Sequence, residues 1–441
     1  MKILLLPSYF YPEGVASPYI GRNRNQRFAD EGWDMVVYTP TPSRGISTED
    51  QQEYRKKEHK CELMFNGHLT VHRFRLVPEK ENPFVRAIRY FLQNLKQFNR
   101  AVFAKDAKSC DVMLIASTPP TQGAMAAMVK KFRHIPLVYN LQDIFPDSLV
   151  GTGLAKKDGI LWKIGRRIEN FTYRNVDKIV VISQDFKRNI MAKGVPEEKI
   201  EVIYNWVDQN AVVDVPREQN KLFDMYGLDR NKFYVTYNGN IGLTQNMEML
   251  CEVAKEMEVS HPDIHFVLVG TGAYWDTLVA KLRGEKQEVK TQASDGSEAL
   301  TFGNISLLPF QPYEDISHVF SLGDASLVIS KPGVGENSVP SKTWSIMSAS
   351  RPVLANFDEN ELKEIVNGES ALRQAQGPKP CGIFTKAGDK EAFKEAILTL
   401  YNDRELCKEY GRNGRQFVMD NLTREVGTQK YVEVIKSVVK H

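Results

Sequence analysis

The chain has 441 residues, of which 42% are apolar and 26% charged, and its formal net charge at pH 7 is +3. This length exceeds what one hydrophobic core usually supports, so we expect two domains. The small net charge gives no reason to expect a nucleic-acid partner. The five cysteines are scattered and form no CxxC pair, which favours a reducing, cytoplasmic compartment over a disulfide framework or a zinc site.

The opening MKILLLP predicts a buried strand rather than a signal peptide, because its apolar run is short and Pro7 follows at once. No apolar stretch approaches the roughly eighteen residues that a transmembrane helix needs. Short β-branched runs then alternate with amphipathic stretches, which is typical of parallel α/β sheets. In the first half of the chain the strands are predicted at 2–7, 34–39, 69–76, 111–117, 137–142, 178–183 and 200–205.

A second series of strands follows the polar segment 205–221, which we interpret as an interdomain hinge. These strands are predicted at 232–239, 265–272, 299–310, 325–330, 351–357 and 382–386. Residues 284–298 lack periodicity and large apolar side chains, a pattern that predicts a mobile loop. We therefore predict an α/β fold with two Rossmann-like parallel-sheet domains facing a cleft, which comprise residues 1–205 with a C-terminal helix at about 426–441, and residues 206–425.

Ligands of doubly wound sheets bind beyond the carboxyl ends of the strands, so the loops at these ends hold the candidate site residues. In the second domain, Gly239 and Gly242 surround a turn that opens a helix, an arrangement suited to cradling an anion. Gly270 and Gly272 follow the next strand, where a tight turn without a ligand is the alternative interpretation.

The stretch SKPGVGENSVPSKTW (330–344) follows a buried strand and leads into a helix predicted to begin near Pro340, with Asn337 or Ser338 as its cap. Helix N-terminal amides, Ser341 and the Lys342 ammonium are together suited to neutralising a diphosphate. Lys331 and Glu336 bracket the loop. An ordinary capped connection is the alternative, whereas the NTPase phosphate loop is excluded because no glycine precedes Lys342.

The first domain offers two candidate positions. Glu13 and Gly14 lie in the long loop after the first strand, where a glycine lets the backbone approach a ligand, although a plain surface loop is the alternative. Asp143 directly follows another strand and is placed to orient or deprotonate a hydroxyl group. A helix cap is an equally good interpretation of this aspartate.

Several segments resemble family 4 glycosyltransferases of the GT-B fold, and the resemblance covers nearly the whole chain. It rests on YFYPEG, YNLQDIFPDS, VDKIVVISQDFKRNIMAKGVPEEKIEVIYNWVD, YNGNIGLTQN, FVLVGTG and VPSK…MSASRPVLA. The nearest resemblance is to bacterial enzymes of O-antigen, capsule or colanic acid assembly. It implies a retaining, metal-independent transfer from a nucleotide-diphosphate sugar, of which UDP is the expected nucleotide, with the donor in the second domain and the acceptor in the first.

Residues and resemblance together give the expected site. Asp143, Glu336 and Lys342 are the catalytic candidates, and Glu13 and Gly14 lie on the acceptor side. The donor-binding candidates are Gly239, Asn240, Gly242, Gln245, Gly270, Gly272, Phe310, Lys331, Gly333, Gly335, Asn337, Ser338 and Ser341.

The chain departs from the family pattern in two places. Asn240 and Gln245 stand where the family usually has an arginine and a lysine, and Asn337 and Ser345 stand where it usually has two glutamates. Glu336 is adjacent to the first of these glutamate positions. Lys342 therefore becomes the main cation expected at the phosphates.

Two basic, aromatic stretches, 82–105 and 161–174, predict contact with an anionic membrane, which would suit a polyprenyl-diphosphate-linked acceptor. A solvated amphipathic surface is the alternative. A nucleotide-sugar epimerase and a non-catalytic nucleotide-sugar or glycan binding protein remain alternative functions. An NAD-dependent oxidoreductase is disfavoured because the first loop carries YFYPEG in place of GxGxxG.

Overall fold

A computed structural model describes residues 1–13, 18–56, 60–77, 83–148, 156–335, 339–370, 372 and 379–439. The chain divides into two compact units, Met1–Asn205 with Gly427–His441, and Trp206–Val426. Each unit is built on one eight-stranded, mainly parallel sheet with helices. The predicted α/β class with two Rossmann-like sheets is therefore confirmed.

The sheet of the first unit has the strand order β3-β4-β2-β1-β5-β6-β7-β8. All neighbouring strands are parallel except β3 and β4. Its strands are β1 (Lys2–Leu5), β2 (Asp34–Pro40), β3 (Cys61–Met64), β4 (Leu69–Phe74), β5 (Val112–Ala116), β6 (Leu137–Leu141), β7 (Lys178–Val181) and β8 (Ile200–Val202). The apolar run at the start of the chain thus forms a central strand, and Ile3 pairs with both Met35 and Val112.

Helices connect these strands and bury them, as expected for parallel sheets. They are α1 (Pro18–Asp30), α2 (Thr48–Glu53), α3 (Pro83–Phe103), α4 (Lys105–Lys108), α5 (Gln122–Arg133), α6 (Ile160–Asn175) and α7 (Gln184–Ala192). The sequence explains where α7 begins, because the Ser183 hydroxyl accepts a hydrogen bond from the Phe186 amide. Gly194, at positive φ, follows the end of this helix.

The sheet of the second unit has the order β11-β12-β13-β10-β9-β14-β15-β16. The pairs β11/β12 and β12/β13 are antiparallel and the others parallel. Its strands are β9 (Phe233–Asn238), β10 (Ile264–Val269), β11 (Glu288–Gln292), β12 (Glu298–Phe302), β13 (Ile305–Leu308), β14 (Ala325–Ile329), β15 (Val353–Phe357) and β16 (Gly382–Lys386). Strands β9 and β10 are buried along their whole length, so their carboxyl ends form a fixed platform for the loops that follow.

The helices of the second unit are α8 (Leu222–Met225), α9 (Met247–Ser260), α10 (Trp275–Glu285), α11 (Ile316–Phe320), α12 (Lys342–Ser348), α13 (Glu361–Val366), α14 (Lys390–Asn402) and α15 (Arg404–Asn421). The last helix, α16 (Arg424–Val438), returns to the first unit with most of its length. There Gln429 accepts a hydrogen bond from Arg27, and Lys436 pairs with Glu31 at 3.0 Å.

Two predictions about the second unit are wrong. The segment 284–298, predicted as a mobile loop, contains the end of α10 and the edge strand β11, which is exposed and therefore polar. The segment 299–310, predicted as one parallel strand, contains the antiparallel pair β12 and β13, which turns at Gly303 with φ +61°. The expectation of parallel strands in the second series fails here, and the first sheet gains an antiparallel edge strand, β3, that was not predicted.

The predicted hinge segment, 205–221, is anchored within the second unit from Trp206 onward. Trp206 and Val207 are buried. The amides of Val213 and Val215 donate to the hydroxyls of Ser317 and Ser321, both at 3.0 Å. Most of this polar segment is therefore an ordered part of the second unit.

Candidate functional site

The glycine loops after β9 and β10 lie against each other. Gly239 and Gly270 adopt φ values of +129° and +138°, which favour glycine. A methyl group added to Gly270 would lie 2.1 Å from the carbonyl oxygen of Gly239. The Ile241 amide donates to the Thr271 carbonyl at 2.9 Å. The two loops thus expose backbone in place of side chains at the carboxyl edge of the sheet.

The same packing explains the next two glycines. A methyl group on Gly272 would lie 2.5 Å from the Asn240 Oδ1 atom. The Gly242 amide donates to the Gln245 Oε1 atom at 3.0 Å, and the Tyr237 hydroxyl donates to the Asn240 carbonyl at 2.6 Å. Asn240 and Gln245 therefore brace the turn, and they bring no positive charge to it.

Lys342 reaches this turn from the first position of α12. Its Nζ atom lies 3.8 Å from the centroid of the Tyr237 ring, and a methyl group on Gly239 would lie 3.2 Å from it. Burial lowers the pKa of Lys342 from 10.5 to about 7, and no charged partner among the described residues offsets this effect. The neutral amine form of Lys342, which is substantial near pH 7, is therefore poised to gain a proton when an anion arrives.

The loop after β14 is held by a carboxylate that our prediction did not include. The amides of Gly333 and Gly335 donate to the two oxygens of Asp358, at 2.9 and 2.7 Å. The Asn360 side chain donates to the Gly335 carbonyl at 2.8 Å. These two predicted donor-binding amides thus shape the loop. The candidates Glu336, Asn337 and Ser338 lie outside the described residues.

Lys331 points to the other side of the loop. Its Nζ atom lies 3.8 Å from a carboxylate oxygen of Glu248 and 5.9 Å from the Tyr274 ring centroid. Glu248 also accepts a hydrogen bond from the Tyr274 hydroxyl at 2.8 Å, and that bond is the main cause of its lowered pKa. The charge of Lys331 is therefore partly balanced, unlike that of Lys342.

A cavity of about 220 Å³ opens between these loops. Its lining includes Gln245, Ser330, Gly335, Pro340 and Lys342. The buried Ser330 hydroxyl has no hydrogen-bond partner among the described residues, and the same holds for the Asn238 amide and the Thr343 hydroxyl. Buried polar groups are normally satisfied, so the Ser330 hydroxyl, which lines the cavity without a partner, indicates a place for a polar ligand.

Two further candidates flank this region. Phe310 follows β13, next to the β10 loop in the sheet order, and its side chain is 76% exposed. Ser341 is the N-cap residue of α12 and makes no side-chain capping bond. The amides of Thr343 and Trp344 donate to the carbonyls of Pro340 and Ser341. These two helix N-terminal amides, which belong to the group predicted to bind phosphate, therefore already donate hydrogen bonds to backbone carbonyls in and before the first turn of α12.

In the first unit, Glu13 is buried and acts as a brace. Its carboxylate accepts hydrogen bonds from the amides of Phe10, Ser43 and Arg44, at 2.9, 2.8 and 3.1 Å. Burial raises the pKa of Glu13, and these three bonds oppose the shift. The carboxylate is thus committed to holding two loops together. Its neighbour Gly14 lies outside the described residues.

Asp143 follows β6 and exposes part of its carboxyl group. Partial burial raises the pKa of this group, while hydrogen bonds from the Ser148 hydroxyl and the Ile144 amide lower it. The amide of Ser148 in turn donates to the Ile144 carbonyl at 3.0 Å, which closes a turn directly after the aspartate. Asp143 therefore presents a fixed carboxylate at the carboxyl edge of the first sheet.

The described residues contain neither a metal-ligand cluster nor a membrane-spanning helix. No group of three or more His, Cys, Asp or Glu side chains there is arranged to hold a metal ion. None of the helices in these ranges is both long and apolar enough to cross a bilayer.

Two Rossmann-like sheets with ligand loops at their carboxyl edges define a two-unit fold of the GT-B class. HepE from Anabaena, solved with UDP and glucose, matches 99% of this chain and 100% of its own with a TM-score of 0.67 at 16% identity. Sucrose-phosphate synthase from Thermosynechococcus elongatus matches 99% of this chain and 98% of its own with a TM-score of 0.71 at 14% identity.

The family follows from the sequence comparisons. Residues 25–211 match the model described as Glycosyltransferase Family 4, and residues 218–417 match Glycosyl transferases group 1. The chain therefore belongs to the GT-B glycosyltransferases.

Two curated relatives carry related names. Glycosyltransferase WbjE of Pseudomonas aeruginosa is 25% identical over 59% of this chain and 61% of its own. The colanic acid biosynthesis glycosyl transferase WcaI of Escherichia coli is 29% identical over 66% of this chain and 69% of its own. The match thus spans less than two thirds of the first relative.

Sequence reasoning missed Tyr237, Glu248 and Asp358. Asp358 could have been predicted from the rule that sites lie at the carboxyl ends of strands, because it directly follows β15. Tyr237 is a buried strand residue, and no sequence pattern distinguishes it from an ordinary core aromatic. Glu248 is the second residue of α9, where an acidic side chain commonly stabilises the helix N-terminus, so the sequence gives no reason to assign it to a site.

Proposed function

We propose that this chain transfers a sugar from a nucleotide-diphosphate sugar, with UDP as the nucleotide, to a glycan or polyprenyl-diphosphate-linked acceptor. The observation that carries the proposal is the Lys342 ammonium, buried beside glycine loops that expose backbone at the carboxyl edge of the second sheet. The UDP found in the HepE structure supports the choice of nucleotide. The matched family models support the reaction class.

The proposed chemistry places the leaving diphosphate against Lys342. Negative charge grows on the diphosphate as the glycosidic bond breaks, and a preorganised cation in a site with little water stabilises that charge strongly. Glycines at 239 and 270 let the phosphates approach the backbone closely. In this proposal no metal ion takes part. Glu336, Asn337 and Ser338 keep their proposed donor roles on sequence grounds alone.

We assign Asp143 to the acceptor. Its carboxylate would accept a hydrogen bond from the attacking hydroxyl and orient it. Retention of anomeric configuration would follow if the donor phosphate takes the proton of that hydroxyl on the same face. Because the Glu13 carboxylate is occupied by three backbone amides, its proposed part on the acceptor side is to shape the loop.

The acceptor side also carries exposed apolar side chains. On α3, Ile88, Phe91 and Leu95 are exposed at helical spacing, with Phe91 at 68%. On α6, Ile160, Leu161 and Ile164 are exposed as well. Lys96 and Arg100 are exposed on α3, whereas Arg89, which also lies in the stretch 82–105 predicted to contact the membrane, is buried and donates to the Val77 carbonyl. We propose peripheral contact of this surface with anionic membranes on the cytoplasmic side.

Co-sedimentation with lipid vesicles tests the membrane contact. The protein should pellet with vesicles that contain anionic lipid and remain in solution with neutral ones. A Phe91→Ser, Leu95→Ser variant should lose the interaction, while Leu63→Ser, at an exposed apolar residue elsewhere in this unit, should not. Pelleting that ignores lipid charge and both variants would remove this part of the proposal.

The biosynthetic role is proposed from the relatives. WcaI is named for colanic acid biosynthesis, so assembly of a surface polysaccharide such as O-antigen or capsule is the expected setting. A nucleotide-sugar epimerase and a non-catalytic nucleotide-sugar or glycan binding protein are the alternatives. Sugar release from UDP-sugars separates these from a transferase, because an epimerase returns an intact nucleotide sugar and a binding protein leaves it unchanged.

The first experiment is a calorimetric panel of nucleoside diphosphates and their sugars, run with and without EDTA. We expect saturable binding of UDP or a UDP-sugar that EDTA does not change and that Lys342→Ala weakens by about tenfold or more. The sugar that binds is then tested for hydrolysis, and the anomeric configuration of the released sugar is followed by NMR. Binding of no nucleotide by the folded protein would overturn the proposal.

A further inference from the structure

A second cavity of about 530 Å³ lies at the opposite edge of the same sheet. It is lined by the residues that precede strands β9, β14 and β15, whereas the Lys342 cavity is lined by residues that follow them. Five or six residues of strand separate the two edges, roughly 20 Å. The second cavity therefore cannot belong to the donor site.

The described lining is strongly basic. It includes seven arginine and lysine residues but only two aspartates, Asp214 and Asp324. Asp324 is shared, because Arg217 lies 2.6 Å from it and Arg404 lies 3.4 Å from it. Asp214 pairs with Arg351 at 2.8 Å. The two carboxylates thus pair with three arginines, so these five side chains carry a net positive charge.

The rest of the lining adds to this excess. Arg230 binds Asp224, and Lys408 binds Glu405, at positions outside the cavity lining. Lys232 and Arg412 have no ion-pair partner among the residues that the structure covers. Two cations therefore face the cavity without a counter-charge from this part of the chain.

The placement of these charges on α15 opposes helix stability. Arg404, Lys408 and Arg412 follow one another at four-residue spacing, so three like charges share one helix face. Such pairs destabilise an isolated helix by a few tenths of a kcal/mol each. An anion bound between them would turn this repulsion into attraction.

Two arginines are held ready for such a ligand. The Arg404 guanidinium stacks on the Phe233 ring at 4.2 Å from its centroid, which fixes its plane. The Nε atom of Arg351 is buried and has no hydrogen-bond partner among the described residues. Planar, preorganised guanidinium groups match the geometry of phosphate oxygens.

We propose that this cavity is a second ligand site, which binds a small phosphorylated anion such as a sugar phosphate or a nucleotide. The volume suits a molecule of that size, and the concave shape favours it over an extended polyanion. The unpaired side chains of Lys232 and Arg412 would contact the phosphate, and the arginines bound to the two aspartates would orient it. The inference does not depend on which sugar the enzyme transfers.

The test titrates inorganic pyrophosphate, glucose 6-phosphate and ATP into the full chain carrying Lys342→Ala, which weakens the donor site. We expect saturable binding of at least one probe, and the probe that binds most tightly distinguishes a sugar phosphate from a nucleotide. Adding Lys232→Ala and Arg412→Ala should weaken binding by at least about tenfold. Lys255→Ala, at an exposed lysine of α9, should leave it unchanged.

Hydrogen exchange gives a readout that needs no substitution in the cavity. Bound probe should protect the amides at the start of α15 and around residues 230–232. Absence of saturable binding, protection confined to residues 239–245, or equal affinity in the Lys232→Ala, Arg412→Ala variant would overturn the proposal. Thermal melting of each variant confirms that it is folded.

Discussion

The Lys342 ammonium lies against the face of the Tyr237 ring, with 3.8 Å between the nitrogen and the ring centroid. Gly239 leaves the space that the ammonium occupies. A cation on an aromatic face is attracted by the ring, but the loss of water outweighs that attraction here and lowers the pKa to about 7. Lys342, which faces the proposed phosphates, is therefore only partly protonated at neutral pH.

This pKa predicts proton uptake when UDP binds. Between the free pKa near 7 and the higher pKa that a diphosphate would impose, free Lys342 is neutral and bound Lys342 is charged. Near pH 8.5 we expect roughly one proton to be taken up per UDP, falling toward zero below about pH 6. Calorimetry in buffers of different ionisation enthalpy measures this number.

The control for proton uptake is Lys342→Arg, because arginine stays protonated throughout this range. The variant keeps the positive charge, and any protons exchanged by the phosphates of UDP are the same for both proteins. The difference in proton uptake between wild type and variant therefore reports the titration of Lys342. Equal uptake by the two proteins at pH 8.5 would contradict the prediction.

Gly270→Ala should damage the glycine platform. Its new methyl group would lie 2.1 Å from the Gly239 carbonyl oxygen, in a backbone conformation that alanine rarely adopts. We expect a loss of about 1–3 kcal/mol in the free energy of unfolding, together with weaker UDP binding. Denaturant unfolding and calorimetry measure the two effects. Gly284→Ala, in α10, where the added methyl group meets open space and alanine favours the helix, should cause neither loss.

Asp358→Asn should loosen the loop at Gly333 and Gly335. Asparagine keeps one acceptor oxygen but turns an NH₂ group toward the other amide, so one charge-assisted bond is lost and one donor faces a donor. The expected cost is about 1–3 kcal/mol of unfolding free energy, with faster exchange of the two amides. Asp276→Asn, at an exposed residue of α10, is the matched control. Unchanged exchange at both glycines would refute this role of Asp358.

Asp143→Asn should reduce turnover by about 100-fold or more, because the attacking hydroxyl loses its orienting carboxylate, while leaving UDP binding intact. Since partial burial raises the Asp143 pKa, the carboxylate is lost as pH falls through that raised value. The acid limb of the wild-type rate profile should therefore depend on Asp143 and disappear in the residual activity of the variant. Steady-state rates across pH measure this, and a variant with an unchanged acid limb would assign the titration to another group.

Much of the fold is readable in the sequence because buried parallel strands leave a strong apolar signal. The runs that became β9, β10 and β14 are buried on both faces, and each was predicted with its ends within three residues of those observed. The exposed edge strand β11, with the sequence EVKTQ, carries no such signal. Its pairing with β12 depends on a neighbour that no local pattern identifies.

The site is less readable for a related reason. The positions of Gly239 and Gly270 after strands point to close backbone approach, and the structure shows that approach. The partners of Gly333 and Gly335 could not be inferred, because Asp358 lies more than twenty residues further along the chain. The sequence also does not indicate which of Lys331 and Lys342 lacks a counter-charge. That depends on packing, since Glu248 pairs with Lys331.

Helix α16 completes a unit whose other elements all precede residue 206. Tyr431, Val432 and Ile435 are buried in it, and Arg24 lies over the Tyr431 ring at 5.5 Å. During translation the ribosome must therefore synthesise the whole second unit before the first has its final helix. The surface that α16 covers stays exposed for that period. The unit made first on the ribosome is thus finished after the one that follows it.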